Sequence, residues 1–425
     1  MRFLFISLFS LVIQFSALQA QEIVVLDQDS GEPIVNVAIY NESKSKNSIT
    51  NLDGKANISK FRMDEVLVFQ HMSHLQKLML KSEIGKNNKV FLIEDENMLQ
   101  EVVLSVAKFQ QNKKDIPQRI VSLSSEDISF SNAQTSADLM ESSGSVYVQK
   151  SQLGGGSPMI RGFSTNRLLI AVDGVRMNTA IFRSGNVQNI ISIDPLSVAN
   201  AEIILGPGSV VYGSDAIGGV MNFYTLKPTF AMNSDVEFHA NAFTRYASAN
   251  EEKTAHADFN LGFEKWAFLS SVTYSDYGDL KMGSHGPEEF LRQEYVVREN
   301  GEDRIVSNSN PKKQVPTGYD QINLLQKIEF MPNAEWDFSL GLIYSKTSNY
   351  SRYDRLVQKR NGSLRYGEWY YGPQSWFMGN LSINKNGYGD LYDKAQFTAA
   401  FQNFEESRWD RKFGDETLYS NTENV

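Results

Sequence analysis

From residue 235 onward the chain alternates apolar and polar residues with a period of two, the side-chain geometry of a β-strand with two chemically different faces. In 335–347, Trp336, Phe338, Leu340, Leu342 and Tyr344 share one face, while Asp337, Ser339, Gly341 and Ser345 share the other. The same alternation runs through 236–246, 255–263, 266–274, 322–330, 377–383 and 391–401. Connections alternate in length. Short links fall at 264–265, 332–334 and 384–390, and links of 43 and 28 residues fall at 276–318 and 348–375, with 248–254 a short exception at the long-link end. A soluble β-sandwich also alternates, but it explains neither long links confined to one end nor Trp266 and Trp336 at the turns. The pattern predicts antiparallel transmembrane strands with a lipid face, a lumen face, short periplasmic turns, long extracellular loops and an interfacial aromatic girdle.

Composition permits this and removes several competitors. Mean hydropathy is -0.35 and the one long apolar run is at the N-terminus, which excludes a bundle of transmembrane helices but not alternating strands. With 50 acidic against 41 basic residues and a net charge of -9, the chain has no overall basic footprint for nucleic acid. The absence of cysteine removes disulfides, thiolate metal sites and cysteine nucleophiles. The five histidines include none between 108 and 226, so no hydrolytic or metal constellation forms there, and the chain reads as a non-enzyme with no cofactor.

Residues 1–20 read as a signal peptide: Arg2 supplies the positive start, an apolar run follows, and Ala17 and Ala20 lie at a small-residue exit. From 22 to 94, short β-type runs (23–26, 35–40, 66–69 and 90–93) alternate with turn signals such as Asp53-Gly54, the spacing of a small β-sandwich. Asp27, Asp29 and Gly31 have the outline of a calcium loop but lack its distal Glu, so an ordinary turn is expected. His71 and His74, three apart in one strand-like run, are expected on opposite faces and without a shared metal. The β-prone segment 98–107, followed by Lys-containing sequence, is suited to adding a strand to a partner's sheet edge. Residues 108–228 then mix α and β texture, with a short helix expected at 136–141 and strands at 168–173 and 201–205. The glycine spacing at 208–213 is that of a phosphate loop, but Ser214-Asp215 stands where the lysine is needed, so nucleotide binding fails on chemistry.

Four blocks in order carry a resemblance. They are Met159-Ile160-Arg161-Gly162-Phe163, the run 168–178 with Asp173-Gly174-Val175-Arg176, Ile193-Asp194-Pro195, and the run 201–222 with Gly206-Pro207-Gly208-Ser209 and Gly218-Gly219. Together they resemble the plug domain of TonB-dependent outer-membrane receptors. The turns at 30–37 and 50–55 resemble the carboxypeptidase-regulatory-like domain that precedes many such receptors in Bacteroidetes-type bacteria, and 98–107 resembles the TonB box. The fold class implied is mainly β: a small N-terminal β-sandwich, an α+β plug domain, and over 235–425 the first strands of an antiparallel transmembrane β-barrel, incomplete in this chain. A plug of about 115 residues fits only a barrel of roughly 22 strands. Seven strands, with an eighth expected near 412–419, leave most of that wall missing, so the chain is expected to be the N-terminal part of a longer receptor with an edge after 404 that could not sit in lipid.

The resemblance implies energised uptake across a Gram-negative outer membrane. A TonB-type energy-transducing protein would pair with Glu101, Val102, Val103, Leu104, Ser105 and Val106, and the outer-membrane lipid would surround the strands. Ligand would meet the extracellular loops and the plug apex, with Gln152, Ser157, Arg176, Asn178, Arg183, Asn186 and Gln188 as candidate contacts. Arg161 inherits the role of locking the plug to a wall carboxylate, although Leu205 stands where a second basic residue often sits. The run 176–186 resembles the haem branch, yet the plug has no histidine to hold haem. An iron complex, siderophore or haem, is therefore the expected ligand, with cobalamin or a glycan as alternatives. A surface recognition or signalling receptor that transports nothing is the competing class, and the 22–94 domain does not resemble the module such receptors carry.

Overall fold

The computed structural model describes residues 22–28, 30–41, 43–71, 74–84, 88–93, 102–103, 111–112, 118–150, 152–164, 167–177, 190–231, 236–333, 335–389 and 392–425. The leader read at 1–20 and Asp29 lie outside them. The chain divides into two compact units, one of residues up to 102 with 112–114, the other of 103–111 and 115–425.

The first unit is a two-sheet sandwich. Strands β1 (Glu22–Asp27), β4 (Lys55–Asn57) and β7 (Lys89–Leu92) form one sheet, in the order β4-β1-β7. Strands β2 (Ala38–Asn41), β3 (Asn47–Ile49), β5 (Val66–His71) and β6 (His74–Leu80) form the other, in the order β3-β2-β5-β6. Alternation decides the packing: Ile23, Val25, Val90 and Leu92 from the first sheet meet Ile39, Leu67 and Phe69 from the second in one buried core. The run expected at 35–40 begins only at Ala38, because Asn36 takes φ 61, which a strand does not accommodate. His71 and His74 correct the sequence reading further. They belong to two different strands, β5 and β6, and pair directly with each other, so both face the same side.

In the second unit the plug has a five-stranded sheet. Its strands are β8 (Ile120–Leu123), β11 (Leu168–Val172), β12 (Val175–Arg176), β13 (Val198–Ile204) and β14 (Gly219–Thr225), in the order β8-β13-β14-β11-β12. A separate hairpin joins β9 (Tyr147–Gln149) to β10 (Ser157–Met159). Helices α1 (Ser125–Ser131) and α2 (Ser136–Ser142) start at capping boxes, Ser124 with Asp127 and Thr135 with Asp138. They cover one face of the sheet through Ile128, Leu139 and Met140, which share a core with Leu168, Ile170, Ile203 and Phe223.

The wall is a run of consecutive antiparallel strands: β15 (Glu237–Ala247), β16 (Glu252–Gly262), β17 (Trp266–Tyr277), β18 (Tyr319–Asn333), β19 (Trp336–Thr347), β20 (Tyr366–Gly389), β21 (Tyr392–Lys412) and β22 (Tyr419–Asn424). The sheet is open, with β15 and β22 at its edges. Leu324, Leu340, Leu342, Phe377 and Leu381 are exposed on the outer face, while Thr273, Gln321, Lys327 and Ser345 are buried on the inner one. At the short-turn end Trp266 stacks on Phe330 at 4.2 Å, Trp336 stacks on Phe338 at 5.7 Å, and Lys385 lies 4.7 Å over Trp336. The aromatic rings thus cluster at the turns where the sequence places Trp266 and Trp336.

Strand lengths depart from the sequence reading. The run expected at 377–383 is part of a 24-residue strand, and the run at 391–401 continues to Lys412. At about 3.3 Å per residue, 24 residues reach roughly 80 Å, far beyond the ~30 Å a membrane core needs. The extra length carries register shifts near Tyr371 and Gln374, which break the alternation that made the shorter span visible. The expected eighth strand begins at Tyr419, because 413–418 is the turn that leads into it.

Gly54 supplies a test of the sandwich. It has φ +69, and a Cβ there would lie 2.6 Å from the Val25 carbonyl oxygen and 2.9 Å from the Pro33 Cβ. Gly31 has a similar φ of +71 but open space around it. Gly31→Ala should cost only the left-handed backbone penalty of about 1–2 kcal/mol. Gly54→Ala should cost clearly more, read as faster hydrogen exchange in Val66–His71; equal effects would contradict the packing described.

Candidate functional site: the plug and wall seam and its long-loop end

The inner face of the wall meets the plug through polar groups that lie far apart in sequence. Thr273 donates to Asp194 at 2.6 Å, Ser197 and Ser271 hydroxyls lie 3.0 Å apart, and Gln321 donates to the Ile191 carbonyl at 2.8 Å. Gln374 donates to the Ser192 hydroxyl at 3.2 Å, and Gln402 to the Arg176 carbonyl at 2.7 Å. Asn260 and Thr229 exchange two bonds, at 2.8 and 3.0 Å. Each such bond is worth about 1 kcal/mol net and can be traded for water. A smaller apolar contact joins them, where Trp376, Met378 and Phe404 of the wall enter the plug core.

Two charged nodes anchor the seam. Arg245, on β15, pairs with Glu252 at 2.8 Å and donates to the Asn132 and Ala133 carbonyls at 3.2 Å. Gln134 also donates to Glu252, whose side chain is fully buried. The second node is Asp173, which ends β11 in a left-handed turn with Gly174, at φ 49 and 77. Its carboxylate accepts from the Thr225 backbone N–H at 2.9 Å and hydroxyl at 2.7 Å, and pairs with Lys327 of β18 at 3.0 Å. Lys327 also reaches the Thr225 carbonyl at 3.4 Å, so one cation clamps the ends of two plug strands to the wall.

At the long-loop end the plug tip packs against aromatics. Leu153 joins a buried group with Tyr277, Tyr319, Tyr350, Leu356, Trp369 and Tyr371. Gly154 sits so close that a Cβ would lie 2.9 Å from the Tyr350 ring. Arg352 lies 5.0 Å over Trp369 and donates to the Tyr371 hydroxyl at 3.0 Å, and Arg408 lies 5.8 Å from the Tyr371 ring. The segment 348–366 holds Arg352, Arg355, Lys359, Arg360 and Arg365 against Asp354 alone, a basic patch on an acidic chain. In the other long loop, strands Glu294–Glu299 and Glu302–Ser307 form a hairpin. The side chain of its Asp303 is fully buried and is gripped by Arg411 at 2.6 and 2.8 Å and by the Gly414 N–H at 2.8 Å. Those hydrogen bonds, Arg411 foremost, hold the Asp303 carboxyl below the usual aspartate range.

The residues singled out in the sequence are distributed unevenly. Gln152 is buried beneath the tip, Ser157 is half-buried in β10, and Arg176 is exposed and paired with Asp215. Asn178, Arg183, Asn186 and Gln188 lie outside the described residues, as do Glu101, Leu104, Ser105 and Val106. Val102–Val103 form a short strand. Arg161 is exposed, has φ 49, and donates to the Leu205 carbonyl at 3.3 Å, a contact inside the plug. The plug and wall charge contacts described come instead from Asp173 with Lys327 and from Arg245. Sequence reasoning passed over Lys327 and Arg245, although each is a charge on a predicted strand in this wall, and Glu252, which it left in the link 248–254 and which the structure places at the start of β16. Among the described residues, no group of three or more His, Asp or Glu is arranged to hold a metal ion.

Comparisons with known proteins agree with this geometry. Residues 112–220 match the TonB-dependent Receptor Plug Domain. The chain is 33% identical over 162 residues to "Vitamin B12 transporter BtuB" of Vibrio vulnificus strain CMCP6, covering 35% of this chain and 26% of the relative. It is 23% identical over 318 residues to the protein of that name from Photobacterium profundum, covering 74% and 44%. The chain thus spans less than half the length of these relatives. Among solved structures, the FrpB iron transporter from Neisseria meningitidis superposes with a TM-score of 0.53 at 17% identity, covering 68% of this chain and 41% of that one. The copper transporter OprC gives 0.51 at 16%, covering 68% and 38%. The structural likenesses establish the shared fold. These relatives are named as transporters, in line with the reading of the chain as a non-enzyme.

Two outcomes follow. Lys327→Met leaves the Asp173 carboxylate buried without its cation, a loss of about 3–5 kcal/mol. Proteolysis of the plug should accelerate, and adding Asp173→Asn should recover part of the loss. For Asp303, the depressed carboxyl means that its stabilisation is complete above the unfolded value of about 3.9 and is lost as pH falls through the lower folded value. Hydrogen exchange over 294–307 should therefore stay slow from neutrality down to about pH 4 and rise below it, whereas Asp303→Asn should exchange fast already at neutral pH.

Proposed function

Taking the TonB-dependent receptor plug domain at 112–220 as premise, we propose that this chain is the plug-bearing part of an energised outer-membrane transporter for a scarce ligand. The observation that carries the reading is the seam. A plug held by many singly replaceable hydrogen bonds and a few ion pairs is firmly seated at rest, yet loosens stepwise as water replaces each bond. A purely structural filling of the wall gains nothing from that chemistry, because apolar packing of the same surface would be at least as stable.

In this reading residues 101–106 pair with a TonB-type protein in the periplasm as an added strand, and tension on them reaches the plug. Ligand arrives at the long-loop end. The basic segment 348–366 and the arginines over Trp369 and Tyr371 favour an anionic ligand with flat apolar parts, in keeping with an iron complex such as a siderophore or haem. Arg176, exposed beside Asp215, is the apical plug contact best placed to take part. Arg161 remains a candidate lock for the plug. The second reading is cobalamin, favoured by the names of the sequence relatives.

In cells carrying the whole receptor, deleting 101–106 should abolish uptake of the ligand while leaving surface binding intact. Unchanged uptake would overturn the transporter reading. Growth of a deletion strain with ferric siderophore, haem or cobalamin supplied singly separates the ligands: loss of growth on cobalamin alone would replace the iron assignment.

A further inference from the structure

The seam contains a histidine that the transport reading does not use. His256, on β16, is buried on the inner face of the wall, and its cross-strand neighbours are Phe243 on β15 and Thr273 on β17. Its Nδ1 lies 2.6 Å from the Thr273 hydroxyl, and its Nε2 lies 3.2 Å from the Asp258 carboxylate. Thr273 in turn donates to Oδ2 of Asp194 at 2.6 Å, which also accepts from the Ser197 hydroxyl at 2.7 Å, while Oδ1 accepts from the Leu196 N–H at 3.0 Å. One chain of hydrogen bonds therefore runs from Asp258 of the wall, through a ring and a hydroxyl, to Asp194 of the plug. The His256 and Asp258 side chains are 4% and 13% exposed, so bulk water does not readily stand in for either partner.

The direction of each bond follows from what each group can give. A carboxylate only accepts, so the single Thr273 hydrogen is committed to Asp194, and Nδ1 must donate to the Thr273 oxygen. Nε2 faces a second carboxylate and must donate too. The chain is complete only when the ring carries hydrogen on both nitrogens, and a neutral ring carries one. We infer that His256 is a proton-operated latch between wall and plug, acting on Asp194 through Thr273. When the ring gives up a proton it keeps the charge-assisted bond to Asp258, because a bare Nε2 would set its lone pair against that carboxylate. Nδ1 then becomes an acceptor and draws the Thr273 hydroxyl away from Asp194, so the plug loses that bond. Histidine ordinarily exchanges its proton between about pH 5 and 8, so the latch is closed in acid and slackens as pH rises. The charged groups that face the ring are Asp258 on its own strand and, through Thr273, Asp194 of the plug; Phe243 faces it from β15, and Thr254 separates it from the Arg245 and Glu252 pair on the same face. The inference rests on the geometry of the seam and holds whatever the chain transports.

The test is hydrogen exchange of the whole receptor in detergent, read at the plug amides 194–204 and corrected for the intrinsic pH dependence of exchange. In the wild type, protection there should fall about tenfold between about pH 5 and about pH 8, and NMR of the ring nitrogens should show His256 with hydrogen on both at the acid end and on one at the other. His256→Asn keeps an amide donor near the Nδ1 position but cannot titrate, so its protection should be the same at both ends. Thr273→Val cuts the chain between ring and plug, and should leave protection low throughout while the ring still titrates. His239→Ala, at an exposed wall residue, should keep the wild-type step. Exchange across Tyr319–Asn333 reports whether each variant retains the wall. A wild type without the step, or a step that persists in folded His256→Asn or Thr273→Val, overturns the inference.

Discussion

The second unit depends on a constraint of β geometry: a strand whose side chains alternate cannot hide its polar face from one neighbour without presenting its apolar face to another. Once Leu340 and Leu342 point outward, Ser345 and Thr347 must point inward and find partners there. The plug supplies those partners. Its own polar groups, Asp173, the Ile191 carbonyl, Ser192, Asp194 and Ser197, are satisfied by Lys327, Gln321, Gln374, Thr273 and Ser271 in turn. Wall and plug therefore complete each other's hydrogen bonding.

What the sequence made legible follows from how far each signal reaches. Period two is local, so the faces of the wall strands and the aromatic residues at their turns could be read directly. Strand ends were less legible, because the long strand Tyr366–Gly389 is punctuated by irregular pairing that erases alternation without ending the ladder. The break between β5 and β6 was missed for a related reason: the sequence from His71 to His74 carries none of the Gly, Asn or Asp that usually punctuates neighbouring strands. The clamp on Asp173 was illegible for a stronger one. Alternation places Lys327 on the inner face, but its partner lies 154 positions earlier, in a turn that only the folded plug brings to the wall.

The long-loop end obeys different rules from the seam. There the plug tip meets rings, through Gly154 against Tyr350 and Leu153 within the tyrosine group. Rings give large contact area with few rotatable bonds, and arginines stacked on them stay charged at every physiological pH. Asp303 under Arg411 ties the 294–307 hairpin to the end of β21 through charge-assisted hydrogen bonds.

Topology also orders how the plug would yield to a load. The chain upstream of residue 118 leads into β8, the edge strand of the plug sheet, held by a four-residue antiparallel pairing with β13. Tension from that side reaches β8 and α1 before it reaches β11 and β14, whose ends Lys327 clamps to the wall. Between them stands Arg245, which grips the Asn132 and Ala133 carbonyls just after α1. The first element to give is then the edge strand, the next barrier is the Arg245 and Glu252 node, and the part of the sheet fixed by Asp173 is the last to move. Under the pull on 101–106 that the proposed function invokes, a plug built in this order would open along its N-terminal side while the remainder stays seated.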